Sequence, residues 1–486
     1  MQDAKVVQQI EAMDGRERER LRQFVRSPYF NRHEGTSRLL DFILKELAKP
    51  SPRLTEARAE DAVKGSGTEQ GLADLQSSLM KLVNRFLAVE QLQQETFREE
   101  VLTLKRTRDL QRFELLENRG KRLDRMVDKH PYRDGDAHLA AYELKAIYTY
   151  HRDNANRSDT RNPQAMIDHL DRYYLVEKLR HACQLTANMM FRNTQYDLLF
   201  LDPMLAFLGS EKGLQLRREE GESSIDCYYH ILLSLREPDE VVHYERMRYY
   251  LDEGLDRLPP LQRKDLFGFA SNYCIQRIMS GHSDYRMELF SLYQRGITTG
   301  IMYNKEEISE WDYKNIVTLG SANGEVEWTE HFIEKNRERL PESKRENAYA
   351  LNKAQFLYSL KRLDEAAKLL IRVTDSDVTY HLARVLLEVR IAYDQEDHDY
   401  ALNLLETFRL YVRRNKSISV RDKRSYLNYT RYSKQLVNLK RQLGFVDRNT
   451  YHKKMTALHQ SILETDPLVA RQWLVQESSP AETSPA

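Results

Sequence analysis

Two alanines 35 residues apart, each followed four positions later by a leucine, limit the fold of this chain more than any other feature. "RLDEAAKLLIRV" (362–373) holds Ala366 and Leu370, and "HDYALNLLETF" (398–408) holds Ala401 and Leu405 in the same places. The interval is close to the period of about 34 residues of tetratricopeptide helix pairs, in which a small residue lets the second helix approach the first. One step upstream, "EVEWTEHFIEKN" falls in the same register with Thr329 in the alanine slot, 37 residues before Ala366. A chain that repeats at this interval is expected to stack helix pairs.

Composition agrees. Only 18 Gly and 13 Pro punctuate 486 residues, too few for a β-rich protein with a turn every ten residues or so. Stretches such as "AHLAAYELKAIYTYH" and "EVVHYERMRYYLDEGL" carry apolar residues at three- and four-residue spacing, and no run of alternating β-branched residues occurs. The fold expected is all-α: an α-solenoid of stacked helix pairs, tetratricopeptide-like in the C-terminal half, with an N-terminal helical subdomain. The boundaries read as 1–95 for that subdomain, 96–300 for irregular helix pairs, 301–415 for the repeats, 416–476 for basic capping helices and 477–486 for a disordered tail.

At the N-terminus, Asp14 and Glu17 have the spacing of a capping box, and Ser27-Pro28 ends the helix it starts. The next helix is expected from Thr36 or Ser37, leaving Tyr29 and Phe30 of "SPYFN" in a corner that both helices cover. A docking aromatic or a modified Ser27 is the sharper alternative. The glycines of "GSGTEQG" (65–71) lack the GK[ST] that a phosphate loop needs and read as a linker before the helix carrying Leu72, Leu75, Leu79, Val83 and Phe86.

Basic and acidic residues nearly cancel, 75 against 74, so no global field favours nucleic acid or membrane. Cys183, Cys227 and Cys274 are far apart, odd in number and outside any CxxC pair, as expected of buried thiols in a reducing compartment. The most apolar window, "YDLLFLDPMLAFLG", is broken by Asp202-Pro203 and is too short to span a bilayer, and "MQDAKVVQQIEAMDGRERERLRQF", with no apolar core before a small-residue cleavage site, is not expected to be a secretory signal. A soluble, cytoplasmic protein is expected.

"SPYFN" (27–31), "SNYCIQRIMSG" (271–281), "DYKNIVTLG" (312–320), "EWTEHFIEKNRERLP" (327–341) and "LYVRRNKSIS" (410–419) occur in an order that resembles an uncharacterised bacterial family of long helical proteins with tetratricopeptide-like C-terminal halves. The resemblance covers nearly the whole chain. It implies a helical-repeat protein and supplies no activity, substrate or catalytic residue.

Motifs that carry chemistry are sparse. His130, Asp134, Asp136 and His138 in "HPYRDGDAH" include metal-ligand types, but the segment reads as a connection between helices; "QEDHDY" around His398 reads as a solvated turn. No HExxH, GxSxG or Walker pattern occurs. No catalytic residue, cofactor or metal is expected.

Two surfaces remain. Residues 409–441 hold eleven Arg or Lys against a single acid, Asp422. At about 100° per residue, Tyr426, Tyr429, Leu436 and Val437 share one face of the helix after Val420, while Lys423, Arg424, Arg431, Lys434 and Arg441 form a flank. A polar cap of a repeat array explains such a flank; an anion-binding stripe for an acidic peptide segment or RNA explains why acids are so few. In the tetratricopeptide register, first helices run about 347–360 and 382–395, with Asn352, Gln355, Tyr358, Arg390 and Tyr393 facing a groove. The leading expectation is an interaction scaffold that binds a protein or acidic peptide; the alternative is an RNA-binding repeat protein using the basic stripe.

Overall fold

The computed structural model describes residues 1, 3–64, 71–151, 161–192, 194–219, 223–374, 378–443 and 445–479. The chain forms two compact units, Met1–Tyr229 and His230–Ala486. The first contains α1 (Lys5–Glu11), α2 (Gly15–Arg26), α3 (Glu34–Leu47), α4 (Glu56–Val63), α5 (Leu72–Gln94), α6 (Arg98–Asp109), α7 (Phe113–Lys129), α8 (Gly135–His151), α9 (Arg161–Arg192), α10 (Leu201–Gly209) and α11 (Glu211–Arg218). Then α12 (Ser223–Arg236) runs across the boundary.

The second unit contains α13 (Val241–Asp252), α14 (Pro260–Met279), α15 (Tyr285–Thr298), α16 (Glu310–Ala322), α17 (Val326–Lys335), α18 (Arg345–Ser359), α19 (Leu363–Leu370), α20 (Val378–Asp394), α21 (His398–Arg414), α22 (Val420–Arg441), α23 (Arg448–Glu464) and α24 (Arg471–Ser478). Most sequence neighbours pack on each other, as α6 on α7, α8 on α9, α18 on α19 and α21 on α22 do. The architecture is all-α, built of helix pairs in the manner of an α-solenoid. Among the described residues the sole sheet is a hairpin of β1 (Tyr303–Asn304) and β2 (Glu307–Ile308). Lys305 and Glu306 turn it at φ 48° and 73°, the left-handed angles that match a two-residue hairpin to strand twist.

The N-terminal corner forms largely as its residues dictate. Asp14 Oδ1 accepts from Glu17 N at 2.8 Å and Asp14 N donates to Glu17 Oε2 at 2.9 Å, which satisfies two donors at the head of α2. Two details differ from expectation. Helix α3 starts at Glu34, ahead of Thr36, because the Asn31 amide donates to Val25 O and Ser37 Oγ and closes the corner early. Phe30 stacks on Phe24 at 4.1 Å, with Arg85 over its ring, whereas Tyr29 is 81% exposed, so one ring of "SPYFN" is covered and the other faces water.

The repeat slots are filled as the register requires. Thr329, Ala366 and Ala401 on α17, α19 and α21 are fully buried, as are Ile333, Leu370 and Leu405 one turn later. Five residues before each slot stands a left-handed residue, Gly324, Lys361 or Glu396. Each lies in the same turn: Glu325 N donates to Gly320 O, Arg362 N to Leu357 O and Asp397 N to Ala392 O, all at 3.0 Å. This is the 6→1 bond of a Schellman motif, which satisfies carbonyls at the end of the first helix. Gly281 repeats it between α14 and α15, with His282 N on Arg277 O, and so does Gln111 between α6 and α7, with Arg112 N on Thr107 O. The same closure therefore occurs in both units, once in the first and four times in the second. In the pair α16–α17 the helices touch so closely that a Cβ at Gly320 would overlap Thr329 Oγ1.

Residues 65–70 of the expected linker and 480–486 of the expected tail lie outside the described residues. Glu477 and Ser478, assigned above to the tail, belong instead to α24, where Ser478 is fully buried.

Candidate functional site

First helices of successive pairs, α16, α18 and α20, lie side by side, α16 on α18 and α18 on α20. Their shared face bears a recess of about 50 Å³ lined by Glu310, Trp311 and Lys314 from α16, Leu351 and Asn352 from α18, and Thr379, Tyr380 and Ala383 from α20. Trp311 is 54% exposed, with Lys314 Nζ 5.9 Å from its ring. Among the described residues no carboxylate pairs with Lys314. The recess thus combines an apolar floor, an aromatic wall and a lysine that forms no ion pair, with Glu310 one turn before it on the rim, which suits an apolar side chain whose neighbouring carboxylate is directed at the lysine.

The groove residues expected from the register divide along this face. Asn352 does reach the recess, but it is only 5% exposed and its Nδ2 donates to Ala348 O at 2.8 Å, so it serves its own helix rather than a free ligand. Gln355 is half-buried one turn further along α18. Tyr358, Arg390 and Tyr393 stand where α24 covers the face, which corrects the expectation of an open groove there. Trp473 of α24 packs edge-on to Tyr393 at 5.5 Å and lies 6.2 Å from the Tyr429 ring, under the Arg390 guanidinium at 5.6 Å. Tyr393 is consequently 4% exposed. Burial, followed by the charge of Asp394, pushes the Tyr358 hydroxyl and the Glu477 carboxyl upward. Arg471 anchors the helix by donating to Leu463 O at 2.8 Å at the end of α23. The indole Nε1 of Trp473 is buried with no partner among the described residues.

The basic stripe divides too. Tyr429, Leu436 and Val437 are fully buried and Tyr426 partly so, the inner face the periodicity predicts. Of the flank, Lys434 pairs with Glu406 of α21, and Arg441 lies 3.1 Å from Asp399 of the same helix. Hydrogen bonds from Arg409 and then Lys434 hold the Glu406 carboxyl down at about 2. These two cations are therefore structural ties between α21 and α22. Lys423, Arg424 and Arg431 have no carboxylate partner among the described residues. A count of charge that began at Arg409 missed Glu406 and Asp399 because they precede it.

Two further places show what they can do chemically. A cleft of about 520 Å³ opens at α13 and α15, lined by Tyr244, Arg248, Tyr285 and Glu288 among others. Tyr244 Oη donates to Glu288 Oε1 at 2.6 Å and lies 3.1 Å from Cys274 Sγ, while Arg248 pairs with Glu288. Burial pushes the Cys274 thiol up to about 12, so it stays protonated at neutral pH and is no thiolate nucleophile. In "HPYRDGDAH", His130 Nε2 is 3.7 Å from Asp134 Oδ2, whereas His138 turns to His169, with Nδ1 atoms 3.3 Å apart. The segment does not converge, and among the described residues no group of three His, Cys, Asp or Glu could hold a metal.

No protein-family model, curated protein or solved structure matches the chain. Of the family resemblance, what stands is a long all-helical protein of packed helix pairs. Among the described residues no helix is long and apolar enough to cross a membrane.

Proposed function

We propose that the protein is a cytoplasmic interaction scaffold that holds a peptide segment of a partner protein on the face of α16, α18 and α20. The ligand is an apolar side chain with a neighbouring acid: the side chain enters the recess against Leu351, Tyr380 and Ala383, and the carboxylate meets Lys314. The observation that supports this reading most is the half-exposed Trp311 beside a lysine with no ion pair at the mouth of a recess with an apolar floor. Large apolar surface left in water is costly for a monomer and usual for a binding face, with aromatics the preferred anchors. Nothing in the cleft near Cys274 favours catalysis over structure, since its thiol, phenol and carboxylate already satisfy one another.

A photo-crosslinking residue at Ala383, compared with one at the exposed Ile371 outside the recess, tests the site. A partner crosslinked from 383 and not from 371, and lost in Trp311→Ala/Lys314→Glu, is the expected result. Equal capture from both positions, or capture that ignores the double variant, overturns the proposal.

A further inference from the structure

The cations left over from the stripe gather with others at the turn between α21 and α22. Residues 413–424, "RRNKSISVRDKR", hold Arg413, Arg414, Lys416, Arg421, Lys423 and Arg424 against one acid. None of the six pairs with a carboxylate among the described residues, and all but Lys423 are exposed. The single acid, Asp422, is turned toward the helix start, where it accepts from Ser419 Oγ at 2.7 Å.

The turn is also firmly built. Ile418 is 7% exposed and pins the loop to the core, and Asn415 Oδ1 accepts from Ser417 N at 2.8 Å. Asn415 Nδ2 donates to Tyr411 Oη at 3.0 Å, and Ser419 Oγ caps α22 by accepting from Asp422 N at 3.1 Å. Like charges held together this way repel one another, whereas three cations further along α21 and α22, Arg409, Lys434 and Arg441, have carboxylates beside them. The concentration of cations at the turn is thus unrelieved by the fold.

We propose that this turn binds the phosphate backbone of single-stranded RNA. Four guanidiniums and two ammoniums suit a chain of phosphates, which supplies closely spaced anions with no need of a pocket. Arg431, exposed and two turns beyond Arg424 at about 1.5 Å rise per residue, extends the row by about 10 Å along α22. Val420, 87% exposed, is the one large apolar residue offered to solvent between Tyr411 and Arg431. That is too little to anchor a peptide by its side chains or to enter a bilayer, so an acidic peptide and an anionic membrane fit less well.

The test uses the full chain and a fluorescein-labelled 20-nucleotide oligouridine, followed by anisotropy between 50 and 200 mM salt. Six contacts predict a log–log salt slope of about −4, at roughly −0.7 per phosphate. Arg421→Gln/Lys423→Gln/Arg424→Gln should make the slope about 2 units shallower and weaken binding at 50 mM salt at least tenfold. Lys434→Gln/Arg441→Gln should leave both unchanged apart from a lower melting temperature. Ultraviolet crosslinking of the unmodified chain should map to a peptide within 413–431, which keeps the proposal testable even if a variant misfolds. Absence of saturable binding at 50 mM salt overturns it. So do equal losses in the two variants, a crosslink outside 413–431, or binding of poly-glutamate or phosphatidylserine vesicles as tight as that of the RNA.

Discussion

The face formed by the first helices of the repeats is open at one end and filled at the other. Around α16 and α18 it presents Trp311 to solvent; around α20 and α22 it buries Trp473, delivered by the chain's own α24. Two tryptophans on one kind of surface thus have opposite surroundings. The difference teaches that a groove residue in a repeat register is available only where nothing later in the chain returns to cover it. Tyr358, Arg390 and Tyr393 fit the register as well as Trp311 does, yet they form the bed of α24.

The largest expected effect comes from removing the filled end. Trp473→Ala should destabilise the protein by about 3 kcal/mol in urea unfolding, the low end for a buried aromatic, because the unpartnered indole N–H is removed with the ring. Trp311→Ala should change stability by less than about 0.5 kcal/mol, as for an exposed side chain. Equal losses for the two would erase the contrast. The open end can be disturbed from beneath instead. Gly320→Ala pushes a methyl into Thr329 Oγ1 and should cost about 1–3 kcal/mol, with Thr329→Ala recovering much of it in the double variant. Independent, additive effects would show that α16 and α17 are less close than described.

The smallest effect concerns the tie between α21 and α22 near the filled end. Glu406 has a folded value of about 2 against an ordinary 4.5, so its contribution is complete above about pH 4.5 and is lost as pH falls toward 2. The melting temperatures of wild type and Glu406→Gln should therefore differ by a constant amount from pH 7 to 5 and converge between pH 4.5 and 2. A gap that persists at pH 2 would mean the carboxylate does not act through its charge.

Local signals were the most legible. Asp14 and Glu17 specify their capping box through side-chain chemistry confined to four residues, and Ala366 and Ala401 specify helix spacing by size alone. The turns themselves were not legible, because three of the five left-handed positions are Gln111, Lys361 and Glu396 rather than glycine. Each accepts a left-handed cost of about 1–2 kcal/mol that the Schellman bond and helix packing offset. The candidate face was legible in its helices and not in its side chains. Trp311 lies on the helix paired with that of Thr329, upstream of the two first helices, 347–360 and 382–395, whose faces the register projected, and nothing local in "RQWLVQES" says that it returns to α20. Paired charges were hidden for the same reason: Lys434 and Glu406 are 28 residues apart in sequence.

Six residues separate α23 from α24. A helix on so short a tether competes for its bed at an effective concentration on the order of millimolar, whatever the amount of protein in solution. A peptide confined to the recess beside Trp311 meets no such rival. One that continues along α20 toward Tyr393 must evict Trp473, and each further residue it gains there is set against a competitor that never diffuses away. On the proposed reading the array would measure its ligands by length, accepting short segments freely and long ones only when their added contacts outbid its own last helix.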